Sequence, residues 1–265
     1  MARMRLTRAL LLFTALCGLA ACAPKKAADN PAAKLGPPIT RWTFDGDTGP
    51  AHWGQLGGVN VVCSTGTRQS PVDIAGEIKA QTAKIKLNYN SVTASIQNTG
   101  KAIRILPTNA GAIQLDGHAY NLKYIEFHSP SEHAVNGHRA TMESQFVHED
   151  AKGNKVIVAV LYDVGVADPM LASLWTFLPS DPGQPVPLPD LLINAQDLLP
   201  STDDFYAYSG SLTAPPCTEG VTWMVYSSPL SVSAEQADAF ARVIGANARP
   251  LQDRHERDFM HISGN

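Results

Sequence analysis

The feature that most restricts how this chain can fold is the two-residue alternation that fills its middle. Segments 83–90 (AKIKLNYN), 91–99 (SVTASIQNT), 101–108 (KAIRILPT), 112–129 (AIQLDGHAYNLKYIEFHS) and 140–149 (ATMESQFVHE) alternate apolar and polar residues, the period of strands that bury one face. Asp116-Gly117 carries the chemistry of a two-residue hairpin turn. The unbroken apolar run 155–162 (KVIVAVLY) reads as a strand buried on both faces. Two stretches read as helix. Segment 168–178 opens with Asp168 and Pro169, a cap and first-turn pair, and 233–245 opens with Ser233 and Gln236 in capping-box spacing and stops at Gly245. Strands in series with helices at the margin predict a mainly β (α+β) fold: a large, twisted, mostly antiparallel central sheet with peripheral short helices.

The chain has 265 residues, 44% hydrophobic and 17% charged, enough apolar material for one large core and no composition of disorder. A formal charge of −3 and scattered histidines leave no basic footprint, so nucleic acid is excluded as an expected partner. The first residues are an address. Arg3, Arg5 and Arg8 precede a short apolar run ending in small residues, the pattern of a secretory signal. Leu19-Ala20-Ala21-Cys22 is similar to a bacterial lipobox, which predicts a lipoprotein signal peptide over 1–21 and a lipidated Cys22; an ordinary cleaved signal peptide is the alternative. Residues 22–40, rich in Ala, Pro and Lys, read as a lipid-anchored flexible tether, and 41–265 as the folded domain. The expected location is the membrane surface of the periplasm or the cell exterior. Of four cysteines, Cys17 falls in the leader and Cys22 is the anchor. Cys63 and Cys217 remain, and in an exported protein they read as a disulfide, with free buried thiols as the alternative.

The chemistry concentrates in 124–133, YIEFHSPSEH. Side chains two apart on a strand share a face, so Glu126 and His128 reach into one site, and His133 lies beyond a Ser-Pro turn. The segments TGPAHWGQL (48–56), RQSPVDI (68–74), FHSPSEHAVNG (127–137), GSLTAPPCTEGVTW (210–223) and NARPLQ (247–252) together resemble the alpha-class carbonic anhydrases in order and spacing. The match runs over about 41–252, and Cys63 and Cys217 fall where bacterial members have a disulfide.

That resemblance implies a zinc ion held by three neutral imidazoles, whose bound water loses a proton near pH 7 and attacks carbon dioxide. The three ligand positions carry over to Glu126, His128 and Gln145, so two of the three histidines are replaced. A carboxylate weakens the pull of the ion on its water, and an amide oxygen is a poor ligand for it. The constellation therefore resembles the carbonic-anhydrase-related proteins, which keep the fold and lose zinc histidines. Thr213 and Glu132 match the pair that orients the attacking oxygen, and Val147, Ile157, Leu212 and Trp223 match the apolar carbon dioxide pocket. Lys101 stands at the proton-shuttle position, where a lysine, ordinarily protonated at neutral pH, exports protons poorly. His133 and His148 match histidines that bind no metal in the family and read as buried, hydrogen-bonded residues. No firmly held cofactor follows, and zinc only as a weakly bound ion. The expected function is a binding module for a protein, a glycan or a small anion, anchored to the membrane by its lipid. The alternative is a weak or atypical carbonic anhydrase with a remodelled metal site.

Overall fold

A computed structural model describes residues 41–263. The expected leader, the expected anchor at Cys22 and the expected tether lie outside the described residues. The alternating segments become strands β1 (Val92–Asn98), β2 (Ile103–Pro107), β3 (His118–His128) and β4 (Met142–Glu149), and the apolar run becomes β5 (Lys155–Val164). Further along lie β6 (Asp204–Ser211) and β7 (Glu219–Tyr226). In the sheet the order is Val186–Ile193, β1, β2, β3, β4, β5, β7, β6, Met260–Ser263 and Lys79–Gln81, within thirteen strands in all. Most ladders are antiparallel, and β5 and β7 run parallel. A parallel neighbour needs a long crossover, and the chain between β5 and β7 supplies it. The sheet is therefore mixed, with an antiparallel majority.

Local chemistry explains the elements. Asp116 and Gly117 turn with φ of 49° and 85°, the left-handed pair of a primed hairpin turn that precedes β3. β5 is buried at seven successive residues, Val156 to Tyr162, as a strand covered on both faces must be. Helix α1 (Pro169–Trp175) starts where expected, with Asp168 accepting from the Leu171 N–H. It ends three residues earlier than the sequence suggests: the Phe177 and Leu178 N–H groups donate only three residues back, to the Leu174 and Trp175 carbonyls, and Pro179 disfavours helical backbone at Leu178. Helix α2 (Ala234–Ile244) has the complete Ser233–Gln236 capping box and ends at Gly245 with φ 75°.

The two faces of the sheet differ. One carries the larger core, in which Phe127, Phe146, Val158, Tyr162 and Met224 pack with Leu171, Leu174 and Phe240 from the helices. The other carries a smaller apolar cluster around Val147, Ile157, Ala159, Val221, Trp223 and Val225, and the polar site sits on that face. Cys63 and Cys217 form a disulfide across 154 residues, joining the N-terminal turns to the loop that carries Thr213.

Candidate functional site

Strand register assembles the site. Arg104 of β2 lies opposite Glu126 of β3, Glu126 opposite Gln145 of β4, and Gln145 opposite Ala159 of β5. His128 lies opposite Glu143, and Tyr124 opposite Val147. Residues paired in this way project to the same face, so Glu126, His128 and Gln145 converge as their spacing predicts.

Each of the three is already engaged. The Arg104 Nε–H donates to Glu126 Oε2 in an ion pair, and the guanidinium lies 4.3 Å over the Tyr124 ring. His128 donates from Nδ1 to the Asn247 carbonyl at 2.8 Å. Its Nε2 is buried without a hydrogen-bond partner, 3.5 Å from Glu126 Oε1 and 3.7 Å from Glu132 Oε2. Gln145 Nε2 donates to Glu132 Oε2 at 2.8 Å and to Glu143 Oε1 at 2.9 Å. The amide thus turns its nitrogen, which has no lone pair to give, towards two carboxylates.

The electrostatics follow from this alternation. Burial by itself would lower the His128 imidazole, but the Glu132 and Glu126 carboxylates and the Asn247 carbonyl outweigh it and raise the pKa. Burial by itself would raise Glu126, and His128 and Arg104 instead bring it well below the usual carboxylate range. The result is a file of ionisable groups, Arg104, Glu126, His128 and Glu132, running inward from 37% side-chain exposure at Arg104 through 13% at Glu126 to 3% at His128. A carboxylate capped by a guanidinium, a single imidazole and an inward-donating amide do not match a zinc centre built from three neutral imidazoles. Among the described residues no group of three or more His, Cys, Asp or Glu side chains is arranged to hold a metal ion.

The surrounding shell is fixed by buried hydrogen bonds. Glu132 Oε1 accepts from the Arg249 N–H at 2.9 Å, and the Arg249 guanidinium donates to Gln69 Oε1, the Ser70 carbonyl and the Cys63 carbonyl. No hydrogen bond joins Thr213 to Glu132 among the described residues; Glu132 accepts from Gln145 at Oε2 and from the Arg249 N–H at Oε1. Val147, Ile157 and Trp223 lie together in the apolar cluster with Leu212 against it. Lys101 holds its Nζ 5.3 Å over the Trp42 ring, while its carbonyl accepts from Asn247 Nδ2 at 3.0 Å. His133 and His148 are fully buried. His133 donates from Nδ1 to Glu143 at 2.9 Å and contacts the Tyr208 hydroxyl through Nε2 at 2.6 Å. Sequence reading missed Arg104 and Asn247. An arginine between Ile103 and Ile105 is a signal of a charged side chain on the less apolar face of a strand, but its partner depends on which strand pairs with it.

The comparisons agree with this architecture. The family described as eukaryotic-type carbonic anhydrase matches residues 48–262. The carbonic anhydrase of Pectobacterium atrosepticum is 35% identical over 246 residues, 92% of this chain and 96% of that protein. The solved alpha-carbonic anhydrase of Thermovibrio ammonificans, in complex with the inhibitor sulfanilamide, superposes with a TM-score of 0.80 at 40% identity, covering 83% of this chain and 98% of that one. A dioscorin complexed with ascorbate superposes at 0.78 and 31% identity, covering 85% and 99%. The sheet order, the disulfide and these matches together make the chain a member of the alpha-class, eukaryotic-type carbonic anhydrase family.

Proposed function

We propose that this is an exported lipoprotein, anchored through Cys22, whose carbonic-anhydrase-like domain lacks normal zinc-dependent carbon dioxide hydration and binds a small anion in its cleft. One observation carries the reading: Glu126 Oε2 is paired with Arg104, and Gln145 turns its amide nitrogen to Glu132 and Glu143, so two of the three ligand positions are oriented by partners inside the protein and neither offers an imidazole. The anion follows from Arg104. Its Nε holds Glu126, while its terminal nitrogens have no hydrogen-bond partner among the described residues, leaving a guanidinium edge suited to a carboxylate or similar oxyanion. The dioscorin relative complexed with ascorbate supports a small acidic ligand on this fold.

Zinc measured by mass spectrometry on the purified, exported protein is expected to be far below one per chain, with carbon dioxide hydration at the uncatalysed rate. Ascorbate serves as the probe anion by calorimetry, and Arg104→Gln is expected to weaken its binding at least about tenfold, the loss of a charge-assisted contact. Binding of a glycan or protein with no anion response would redirect the ligand class.

A second reading is a weak or atypical carbonic anhydrase in which Glu126 and His128 hold the ion and Gln145 or water completes its shell. The relatives named carbonic anhydrase support it, as does the apolar pocket, whereas the side-chain bonding supports the first. Near-stoichiometric zinc together with hydration above the uncatalysed rate would replace the first reading with this one.

A further inference from the structure

The ligand positions can be rebuilt on paper by Glu126→His and Gln145→His. That change leaves Arg104 in place beside the site. Arg104 is placed by three independent features: its register opposite position 126, its ion pair with Glu126, and its stacking on Tyr124. Only the second disappears when Glu126 is replaced. The register is fixed by the backbone ladder of β2 and β3, and the aromatic platform stays under the guanidinium. A fixed positive charge would then face the site with no counter-ion beside it.

We propose that Arg104 is the residue that commits this site to a metal-free state, a permanent cation standing in for the ion and repelling any dication brought in beside it. This rests on the reading that the natural protein holds no zinc. It makes Arg104 a specificity-determining residue: the identity of position 104 decides whether ligands at 126, 128 and 145 can act together. Like charges held close in a partly desolvated site oppose one another more than in water.

The test compares zinc affinity in the full chain bearing Glu126→His and Gln145→His with the same chain further carrying Arg104→Gln or Arg104→Lys. Affinity is read by competition with a chromophoric chelator, and geometry by the visible spectrum after cobalt(II) substitution. The Arg104→Gln form is expected to bind zinc at least about tenfold tighter than the double variant, in keeping with removal of an adjacent like charge, and to show tetrahedral cobalt bands. The Arg104→Lys form, which keeps the charge, is expected to remain near the double variant. Equal affinities in all three, or Arg104→Lys as tight as Arg104→Gln, would overturn the role given to the charge. Should Arg104→Gln not fold, Arg104→Met keeps the aliphatic packing on Tyr124 and gives the same comparison. Zinc in the unsubstituted protein would sink the functional reading itself, whereas equal affinities against a zinc-free parent would sink only the role of Arg104.

Discussion

His148 shows what burial does to a single histidine on this sheet. Its Nδ1–H donates to the Val156 carbonyl at 3.3 Å, so its Nε2 accepts from the Tyr89 hydroxyl at 2.8 Å. Burial pushes the imidazole down to about 4, and the ring is neutral in the folded protein. The unfolded chain therefore takes up a proton near pH 6.5 that the folded protein refuses. The stability contributed by this residue is present above about 6.5 and is lost as pH falls towards 4. His148→Asn, which keeps the donor to Val156, is expected to flatten the decline in melting temperature between pH 6.5 and 4 relative to the parent. A parallel decline in both proteins would show that His148 is not the group responsible. Arg104 and Gln145 make the same point for the site: a side chain that pairs with its neighbours has that much less to offer a ligand.

At the scale of elements, the two helices are tied to each other through Gln236. Its Nε2 donates to the Asp168 carbonyl at 2.7 Å, and its Oε1 accepts from the Asp168 N–H at 2.9 Å and from the Ser233 N–H at 3.1 Å. Trp175 adds a bond from Nε1 to the Gln236 carbonyl and stacks with Phe240. Ser233→Ala removes one cap and is expected to cost about 1 kcal/mol. Gln236→Ala removes the reciprocal cap and leaves the buried Asp168 N–H without a partner, its carbonyl keeping the bond from the Ala172 N–H, and a loss of about 2–3 kcal/mol is expected from chemical denaturation. Equal losses for the two variants would mean that the tie between the helices contributes nothing. Sequence spacing showed the capping box. It could not show that the same glutamine reaches 68 residues back to Asp168, because that contact exists only once both helices lie on the same face of the sheet.

For the whole molecule, the disulfide and Arg249 hold the N-terminal turns, the Thr213 loop and the site as one body. The loop closed by Cys63 and Cys217 spans 154 residues. Replacing both cysteines with serine is expected to lower stability by about 2–5 kcal/mol, read from the denaturation midpoint. Arg249 gives its terminal nitrogens to Gln69, Ser70 and the Cys63 carbonyl and its backbone N–H to Glu132, so the loss is expected to be felt at the site too, as weaker binding of the probe anion. A protein whose melting is unchanged without the disulfide would refute the arrangement as a source of stability.

By itself the sequence determined the strands, the hairpin at Asp116-Gly117, the helix starts at Asp168 and Ser233 and the shared face of Glu126 and His128. These depend on neighbours within a few residues, and alternation and capping act over that range. What the tertiary structure alone decided is the state of the site. Arg104 meets Glu126 only because β2 pairs with β3 in one register. Gln145 meets Glu132 only because the chain after β3 turns back under β4. Charges interact across space and not along the chain, so the pairing that sets the chemistry here had to wait for the fold.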